Sequence, residues 1–514
     1  MTLLQAASLA PMDQLTTTLL LVTFASIFFL IKRLITRYAS PEKLRLPPGP
    51  WQLPIIGSLH HLLLSRFRDL PHRAMRELSE THGPLMLLRL GAVPTLVVSS
   101  AEAAAEVMRT HDVAFSGRHL SATIDILTRG GTDIIFGPYT ERWRELRKVC
   151  VVELFNPRRV LSFRHVREDE VARLLRSVAE TRGELVCISE RLSRTTNDTV
   201  VRAAFGARCE RRLRDEFLRA LDDAVRLTGG VNLADLYPSS RLARLLSAAT
   251  RDMARCESCF YRIAEIIIRG RDVDACEEDL LAVLLRLQKG RGLKFALTTD
   301  IISCVILDIF AAGSETSSTT LDWAMSELMK NPRIMHKVQS EVRETFKEQD
   351  MITEEDVAKL SYLQLVIKET LRLHPPAPFL IPRECRETCR VMGYDVSKGT
   401  KVFVNVWKIG RDDKYWGDGD VFRPERFENN TVDFRGADFE FLPFGAGRRM
   451  CPGITLGLAN MELALASLLY HFDWELPGGI KSEELDMSEV FGITVRRKSK
   501  LWLHAIPRFP VCNI

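Results

Sequence analysis

The side chain best suited to chemistry in this chain is Cys451, within the segment FGAGRRMCPG at positions 444–453. Glycines in this segment allow backbone conformations that other residues avoid, and Pro452 fixes a turn directly after the cysteine. Arg448 and Arg449 make the surroundings favourable to a negative charge, which lowers the cost of forming a thiolate. The pattern therefore predicts a rigidly held thiolate that binds a metal. The alternative is a buried structural cysteine in a glycine-rich turn.

A second segment, AAGSETSSTT at positions 311–320, combines small residues with an acid and several hydroxyl groups. The small residues would let a helix approach a flat cofactor, and Gly313 can free a backbone carbonyl for water or substrate. Glu315 and Thr316 place a carboxyl group beside a hydroxyl, and such a pair can relay protons from solvent through water. The alternative is a threonine hydroxyl bonded to the preceding helical turn and a glutamate in a surface ion pair.

The chain around this second segment predicts one long buried helix. Residues 299–329 contain no Lys or Arg, and the first half of the stretch is apolar on every side. Asn331 and Pro332 predict the end of the helix. The small and hydroxylated residues in the middle are poor helix formers, so we expect the helix to open locally there.

Two further pairs of residues have the spacing that places side chains on one face of a helix. Glu369 and Arg372 are separated by one helical turn, directly before a His-Pro-Pro sequence that ends a helix. Trp143 and Arg147 have the i, i+4 spacing, so an indole N–H and a guanidinium group can converge on one carboxylate. The first spacing is common on exposed helices, whereas the second indicates an anion-binding face.

Length, charge and cysteine content exclude several classes of protein. A chain of 514 residues would ordinarily divide into about three domains, yet no linker, repeat or long charge block supports that division. A net charge of +5 with 27% charged residues argues against a nucleic-acid partner. The 11 cysteines are too irregularly spaced for a disulfide scaffold, which indicates a reducing compartment.

The N-terminal region predicts a membrane anchor. Residues 14–31 are uncharged and rich in Leu, Ile, Val and Phe, and as a helix they would extend about 27 Å, close to the thickness of a bilayer core. Lys32 and Arg33 follow at once, so the positive-inside rule places the rest of the chain on the cytoplasmic side. The alternative, a cleaved signal peptide, would require positive charge before the apolar run. Clustered prolines at 47–54 then predict a stiff hinge.

Together these segments resemble the cytochrome P-450 family of haem-thiolate monooxygenases. The cysteine segment has the family spacing Phe-x-x-Gly-x-Arg-x-Cys-x-Gly, and the sequence FRPERF at 422–427 resembles the family's PERF segment. The resemblance implies a mainly α fold with a smaller β region, organised as one large catalytic domain over residues 58–514. It also implies a short lumenal N-terminus (1–13), one transmembrane helix (14–31) and a basic, proline-rich hinge (32–57).

The resemblance implies haem b as the cofactor and assigns roles to individual residues. Cys451 is the axial ligand of the haem iron, a position in which the thiolate favours cleavage of the O–O bond. The other cofactor-binding residues are Phe444, Gly445, Arg449, Trp143, Arg147, Arg383 and Arg118. A buried network before the cysteine segment consists of Glu369, Arg372 and Arg426. The residues of oxygen activation are Glu315, Thr316 and Gly313. The match at Arg118 is loose, because His119 stands where the family usually has Pro.

Among its branches, the chain most resembles the plant A-type microsomal proteins, and within them the grass enzymes that oxidise sesquiterpenoids and diterpenoids. The resemblance implies an apolar substrate pocket. The expected lining segments are 120–127, 305–312, 377–381 and 491–493. Within them, the expected lining residues are Leu127, Ile309, Ala311, Ala312, Ala377, Phe379, Ile381, Phe491 and Ile493. Apolar residues at such spacing are also typical of plain core. The Thr228-Gly229-Gly230 sequence interrupts an otherwise helical region and suggests a flexible lid.

The expected reaction is the oxidation of a small lipophilic plant metabolite by dioxygen, in the endoplasmic reticulum membrane. Electrons from NADPH would arrive through the FAD and FMN of NADPH-cytochrome P-450 reductase, with cytochrome b5 as a further donor. Arg144, Lys148 and Arg448 would form a basic surface for the acidic face of the reductase. Three alternatives stay open: a phenolic or amino-acid-derived substrate, a haem-thiolate isomerase or dehydratase that uses no dioxygen, and a haem- or lipid-binding protein without catalysis.

Overall fold

The computed structural model describes residues 23, 44–206, 211–229, 232–271, 279–290, 292–347 and 349–509. Helices dominate these residues, as the family resemblance implies. The α-helices are α1 Leu59–Leu63, α2 Pro71–His82, α3 Ala101–Ala105, α4 Ala122–Leu127, α5 Glu141–Val149, α6 Pro157–Ser162, α7 Arg164–Ala179, α8 Ile188–Phe205, α9 Arg211–Gly229, α10 Leu233–Leu236, α11 Arg241–Leu246, α12 Ala248–Arg269, α13 Leu280–Lys289, α14 Thr299–Lys330, α15 Pro332–Thr345, α16 Glu354–Val357, α17 Ser361–Leu373, α18 Val406–Ile409, α19 Asp413–Trp416 and α20 Ile454–His471.

The smaller β region consists of short strands. They are β1 Leu85–Leu90, β2 Val93–Val98, β3 Gly117–Arg118, β4 Leu185–Cys187, β5 Arg383–Glu384, β6 Cys389–Val391, β7 Tyr394–Val396, β8 Lys401–Val404, β9 Phe472–Glu475, β10 Glu489–Val490, β11 Arg496–Arg497 and β12 Trp502–Pro507. The main sheet has the order β1-β2-β8-β5-β3, and a second sheet has the order β4-β12-β9. The main sheet is mixed, because β2 pairs antiparallel with β1 and parallel with β8.

Helix α14 passes through the interior and belongs to both large apolar clusters. Its first half packs with α8, where Phe310 and Val200 share one cluster, and its second half packs with α20, where Met325 and Leu465 share the other. Its start is capped by Thr298, whose hydroxyl accepts a hydrogen bond from the Ile301 N–H at 3.3 Å. Because one helix contributes to both clusters, the described chain packs as one unit.

Helix α14 has the predicted bounds but not the predicted local opening. The predicted bounds of 299–329 agree with the observed helix, but its hydroxyl-rich middle is continuous α-helix and does not open. The hydroxyl groups bond to carbonyls of the preceding turn instead, as Thr320 does to the Thr316 carbonyl at 2.9 Å. Among the described residues, α14 alone has the length and apolar character of a membrane span, and 67% of its apolar stretch is buried in the protein.

The predicted anchor at 14–31 lies outside the described residues, apart from Thr23. The described part of the hinge packs along β1, where the Leu87 N–H donates to the Pro48 carbonyl at 2.8 Å. The predicted break at 228–230 coincides with the end of α9 at Gly229, and Gly230 lies outside the described residues. The next described residue is Asn232.

Candidate active site

The segment that carries Cys451 is a tight loop between a 3-10 turn at Gly447–Arg449 and the start of α20. Gly447 has a φ of +66°, and a Cβ atom there would lie 2.5 Å from the Met108 carbonyl oxygen, so only glycine fits. The Cys451 N–H donates to the Phe444 carbonyl at 3.0 Å and closes the loop. The sequence prediction of a rigid glycine-dependent loop is confirmed.

The Cys451 thiol is partly buried and reduced in this loop. Burial raises its pKa, while the Gly453 N–H and the nearby charge of Arg147 oppose that effect by favouring the thiolate. The N-terminus of α20 follows directly, and helix N-termini also favour negative charge. The groups around Cys451 therefore favour a thiolate, which can bind a metal ion.

A group of buried arginines lies beside this loop. Arg383 and Arg449 are only 3% and 7% exposed. Burial, followed by the neighbouring charge of Arg383, lowers the pKa of Arg449 to about 9. Burial together with the charges of Arg449 and Arg383 lowers the pKa of Arg118 well below its usual range. Three guanidinium groups that repel one another in the interior require anionic charge close by.

The arginines hold the surrounding backbone and leave one donor free. Arg383 donates to the Ala446 carbonyl at 2.7 Å, and Arg449 donates to the Ser116 carbonyl at 2.8 Å. In the described part of the chain, Nη1 of Arg449 is buried and has no hydrogen-bond partner. This cluster fits haem b, whose two carboxylates would add negative charge to that of Asp112, which pairs with Arg383 at 3.5 Å. Phe444 and Gly445 lie in the same loop, where Gly445 has a φ of +69°.

Trp143 and Arg147 do not converge on one point, contrary to the sequence prediction. The Trp143 indole N–H donates to the Ile134 carbonyl at 3.0 Å, and Arg147 donates to the Met450 carbonyl. The Arg449 guanidinium group instead lies over the Trp143 ring, with its central carbon 3.9 Å from the centroid of the ring. Trp143 thus orients Arg449 through its ring, and Arg147 holds the backbone of Met450, directly before Cys451. Helix spacing indicated the shared side of α5 but not these partners.

Glu315 and Thr316 line the same cavity but are bonded to different groups. The Thr316 hydroxyl donates to the Ala312 carbonyl at 2.5 Å, which is the alternative arrangement considered for the sequence. Glu315 accepts a hydrogen bond from the Thr494 hydroxyl at 2.9 Å and forms an ion pair with Arg496 at 3.3 Å. The two side chains are neighbours in the wall without a direct bond between them.

Gly313 does not contribute to the cavity. A Cβ atom at this position would lie 3.2 Å from Cγ2 of Val200, which belongs to α8. The glycine therefore lets α14 and α8 pack closely, and the expectation that it frees a carbonyl for water or substrate is wrong, because the helix is continuous there. A helix presents consecutive residues to different neighbours, so Ala312 faces the cavity and Gly313 faces α8.

The cavity has a volume of about 130 Å³. Six of the residues expected from the sequence lie on its wall: Leu127, Ala311, Ala312, Ala377, Ile381 and Ile493. The other three do not. Ile309 is buried in the cluster around α8, while Phe379 and Phe491 pack with Met75 and Leu88 near β1. Their side chains fill the core, which is the alternative that apolar spacing always leaves open.

Several wall residues escaped the sequence prediction. They are Thr128, Asp133, Ile135, Phe136, Leu221, Ala224, Val225, Thr228, Phe260, Cys304 and Thr494, whereas the wall residues Ile124, Leu307 and Asp308 lie within the expected lining segments 120–127 and 305–312. Most are aliphatic or aromatic, whereas Asp133 and Asp308 are buried acids. Asp308 lies in the apolar first half of the long helix, and an isolated acid in such a stretch is a usable signal of a buried polar site.

The scaffold around the cysteine loop contains the predicted buried network. Glu369 and Arg372 form a two-point ion pair at 2.7 and 2.8 Å, and both side chains are fully buried. Arg426 donates to the same Glu369 carboxylate at 2.9 Å. Arg372 also donates to the Gly419 carbonyl at 2.7 Å, which ties α17 to the long connection that precedes the cysteine loop.

Comparison with known proteins places these features in one family. The family model described as Cytochrome P450 (here written P-450) matches residues 47–503. The chain is 51% identical to dolabradiene monooxygenase of Zea mays, over 96% of this chain and 99% of that protein. It is 51% identical to zealexin A1 synthase of Zea mays, over 92% and 94% of the two chains.

A third relative is the ent-isokaurene C2/C3-hydroxylase of Oryza sativa subsp. japonica, which is 49% identical over 92% of this chain and 95% of that protein. Among solved structures, a zebra fish cytochrome P-450 with progesterone superposes with a TM-score of 0.74 at 27% identity, over 85% of this chain and 99% of that chain. These matches span the cysteine loop, the arginine cluster and α14. The chain therefore belongs to the cytochrome P-450 family and is a monooxygenase that binds haem b.

Proposed function

We propose that this protein oxidises a sesquiterpenoid or diterpenoid, using dioxygen and electrons that originate from NADPH. The observation that carries the proposal is the cavity beside α14, whose wall is mainly aliphatic and suits a hydrocarbon skeleton. The names of the relatives support the same class of substrate, since they describe a dolabradiene monooxygenase and an ent-isokaurene hydroxylase.

We assign cofactor binding to Cys451 and to the arginine cluster. The thiolate of Cys451 would hold the haem iron, while Arg118, Arg383 and Arg449 would neutralise the haem carboxylates. Bound haem supplies the activation of dioxygen and the transfer of one oxygen atom to the substrate. The aliphatic wall of the cavity excludes water and holds the substrate near the cofactor.

We assign proton delivery to Glu315 and Thr316. Both line the cavity, and Glu315 forms an ion pair with Arg496, whose side chain is 43% exposed, so the carboxyl group lies near solvent. The Thr316 hydroxyl can exchange the Ala312 carbonyl for a water molecule by rotation about its Cα–Cβ bond, because a threonine in a helix has two accessible rotamers. A proton could then pass from the Glu315 carboxyl group to a water molecule held by the Thr316 hydroxyl.

We propose that electrons arrive at the face of the protein on which the cysteine loop lies. Arg144, Lys148 and Arg448 are exposed there and give it positive charge. An acidic surface on NADPH-cytochrome P-450 reductase, which carries FAD and FMN, would be attracted to this face, and cytochrome b5 could use the same surface. We further propose a single-pass anchor at 14–31 in the endoplasmic reticulum membrane, with residues 1–13 in the lumen and residues 58–514 in the cytoplasm.

Reconstitution with the reductase tests the proposal. The full-length protein in lipid vesicles is supplied with NADPH and with separate panels of sesquiterpenes, diterpenes, phenolics and oximes, and products are identified by mass spectrometry. Terpenoid products that require both NADPH and reductase would support the proposal. Turnover of phenolics or oximes alone would assign the alternative substrate class, and turnover with a hydroperoxide but without NADPH would indicate an isomerase or dehydratase.

A further inference from the structure

The segment Asp133–Gly137, between α4 and α5, is held in place by side chains rather than by backbone pairing. One carboxylate oxygen of Asp308 accepts hydrogen bonds from the Ile134 N–H at 2.8 Å and the Ile135 N–H at 3.3 Å. The Asp133 carboxylate accepts the Phe136 N–H at 3.1 Å. Within the described chain, these five residues make no backbone-to-backbone hydrogen bond, so the two acids are what satisfies the N–H groups of Ile134, Ile135 and Phe136.

The carbonyl groups of the same segment accept hydrogen bonds from the residues around the cofactor site. The Ile135 carbonyl accepts from Arg118 at 3.0 Å, and the Gly137 carbonyl accepts from Arg449 at 2.6 Å. The Ile134 carbonyl accepts the Trp143 indole N–H. The segment thus connects Asp308 on α14 with two arginines assigned to the haem carboxylates.

The two acids form a buried pair. Asp133 and Asp308 are 2% and 7% exposed, and each carboxyl group lies close enough to affect the charge of the other. Burial and the proximity of the second carboxyl group raise the pKa of Asp308 well above its usual range. The raised pKa favours uptake of a proton by the pair, and a protonated carboxyl could donate to the other while both accept backbone N–H groups.

We propose that Asp308, together with Asp133, is a positioning pair that aims Arg118 and Arg449 at the haem carboxylates by fixing the segment 133–137. The inference rests on the proposed cofactor role of these arginines. Removing the Asp308 carboxyl would release the Ile134 and Ile135 N–H groups, and the carbonyls that orient the arginines would move with them. Ile135 and Phe136 also line the cavity, so the same segment connects the substrate wall to the edge of the cofactor.

The test compares Asp308→Ala with Asp308→Asn in the haem-loaded, full-length protein. Asparagine keeps an oxygen for the two N–H groups and a donor for Asp133, so it reproduces the protonated acid, whereas alanine removes both. Hydrogen exchange by mass spectrometry follows the segment 133–137, and transfer of haem to apomyoglobin measures how firmly the cofactor is held. In Asp308→Ala we expect exchange in this segment and haem loss to be roughly tenfold faster or more, with near wild-type values in Asp308→Asn.

Asp322→Ala is the matched control, because Asp322 is a half-buried acid of α14 that accepts its hydrogen bond from Ser189 at 2.6 Å, far along the helix from the segment. It should leave both readouts unchanged. If Asp308→Ala does not fold, Asp133→Ala provides the same comparison. The inference is overturned if the alanine variants keep the segment protected and the haem bound, or if Asp308→Asn is as damaging as Asp308→Ala, which would indicate that the ionised carboxylate is required. Terpenoid turnover by the wild-type protein is unaffected by either outcome, so the proposed function stands or falls separately.

Discussion

The Thr316 hydroxyl donates to the carbonyl oxygen of Ala312, 2.5 Å away and one turn earlier in α14. Both residues face the cavity, so the bond lies on the wall where substrate and dioxygen would meet. The bond satisfies the hydroxyl while the helix stays continuous, which explains why a hydroxyl-rich sequence folds as regular α-helix here. A role in proton transfer therefore requires Thr316 to turn from this carbonyl towards water.

The first prediction concerns that rotation. Thr316→Ala removes the hydroxyl, and we expect product formed per NADPH to fall by about tenfold or more, with hydrogen peroxide released instead, because a positioned proton donor typically contributes at least that much. Thr316→Ser keeps the hydroxyl and should retain most of the coupling. NADPH consumption, peroxide and product are measured together. Unchanged coupling in Thr316→Ala would remove Thr316 from the proton path.

The second prediction separates Glu315 from its ion-pair partner. Glu315→Ala should uncouple NADPH consumption from product, since it removes the acid of the relay. Arg496→Gln removes only a partly exposed partner at 3.3 Å, so the free energy of unfolding should change by less than about 1 kcal/mol and coupling should persist. If both variants uncouple to the same degree, the ion pair rather than the acid is the functional unit.

The third prediction concerns the metal ligand. Cys451→Ser replaces the thiolate by a poorer donor, and we expect the reduced protein with carbon monoxide to lose its red-shifted absorption band together with activity. Ser314→Ala, at a buried hydroxyl in α14, serves as a control that should keep the band. A Cys451→Ser protein that retained the red-shifted band would refute the assignment of the axial ligand.

The fourth prediction tests the wall of the cavity. Ala312→Leu adds volume directly into the cavity, so the affinity for a bound terpenoid should fall by about tenfold, equivalent to about 1.4 kcal/mol. Phe491→Leu alters a residue that packs in the core near β1, and its effect should fall on stability more than on affinity. The haem spin-state shift on titration with the terpenoid measures the affinity of both variants. The opposite ranking would restore Phe491 to the pocket.

The fifth prediction concerns the network around Glu369. Glu369→Ala leaves Arg372 buried without its partner, and we expect a loss of about 3–5 kcal/mol in the free energy of unfolding. Asp252→Ala breaks an exposed pair with Arg255 and should cost less than about 1 kcal/mol. Urea unfolding followed by circular dichroism gives both values. Equal effects of the two substitutions would show that the buried network contributes little to stability.

Local patterns account for much of what could be predicted. The glycines and arginines around Cys451, the spacing of Glu369 and Arg372, and the apolar run of α14 each act within a few residues of one another, so the sequence specified the loop, the pair and the helix bounds. These features are decided by short-range sterics and by helix periodicity. They were sufficient to indicate a thiolate site, a long buried helix and a buried network.

The tertiary structure alone decided which neighbour each side chain meets. Helix spacing shows which residues share a face, but Val200 decides that Gly313 serves helix packing, and Ile134 decides where the Trp143 N–H points. The pairing of Asp133 with Asp308 joins residues far apart in the chain, and no local pattern encodes such a contact. The physical reason is that hydrogen bonds and packing depend on distance in space, which the order of residues constrains only within a few turns.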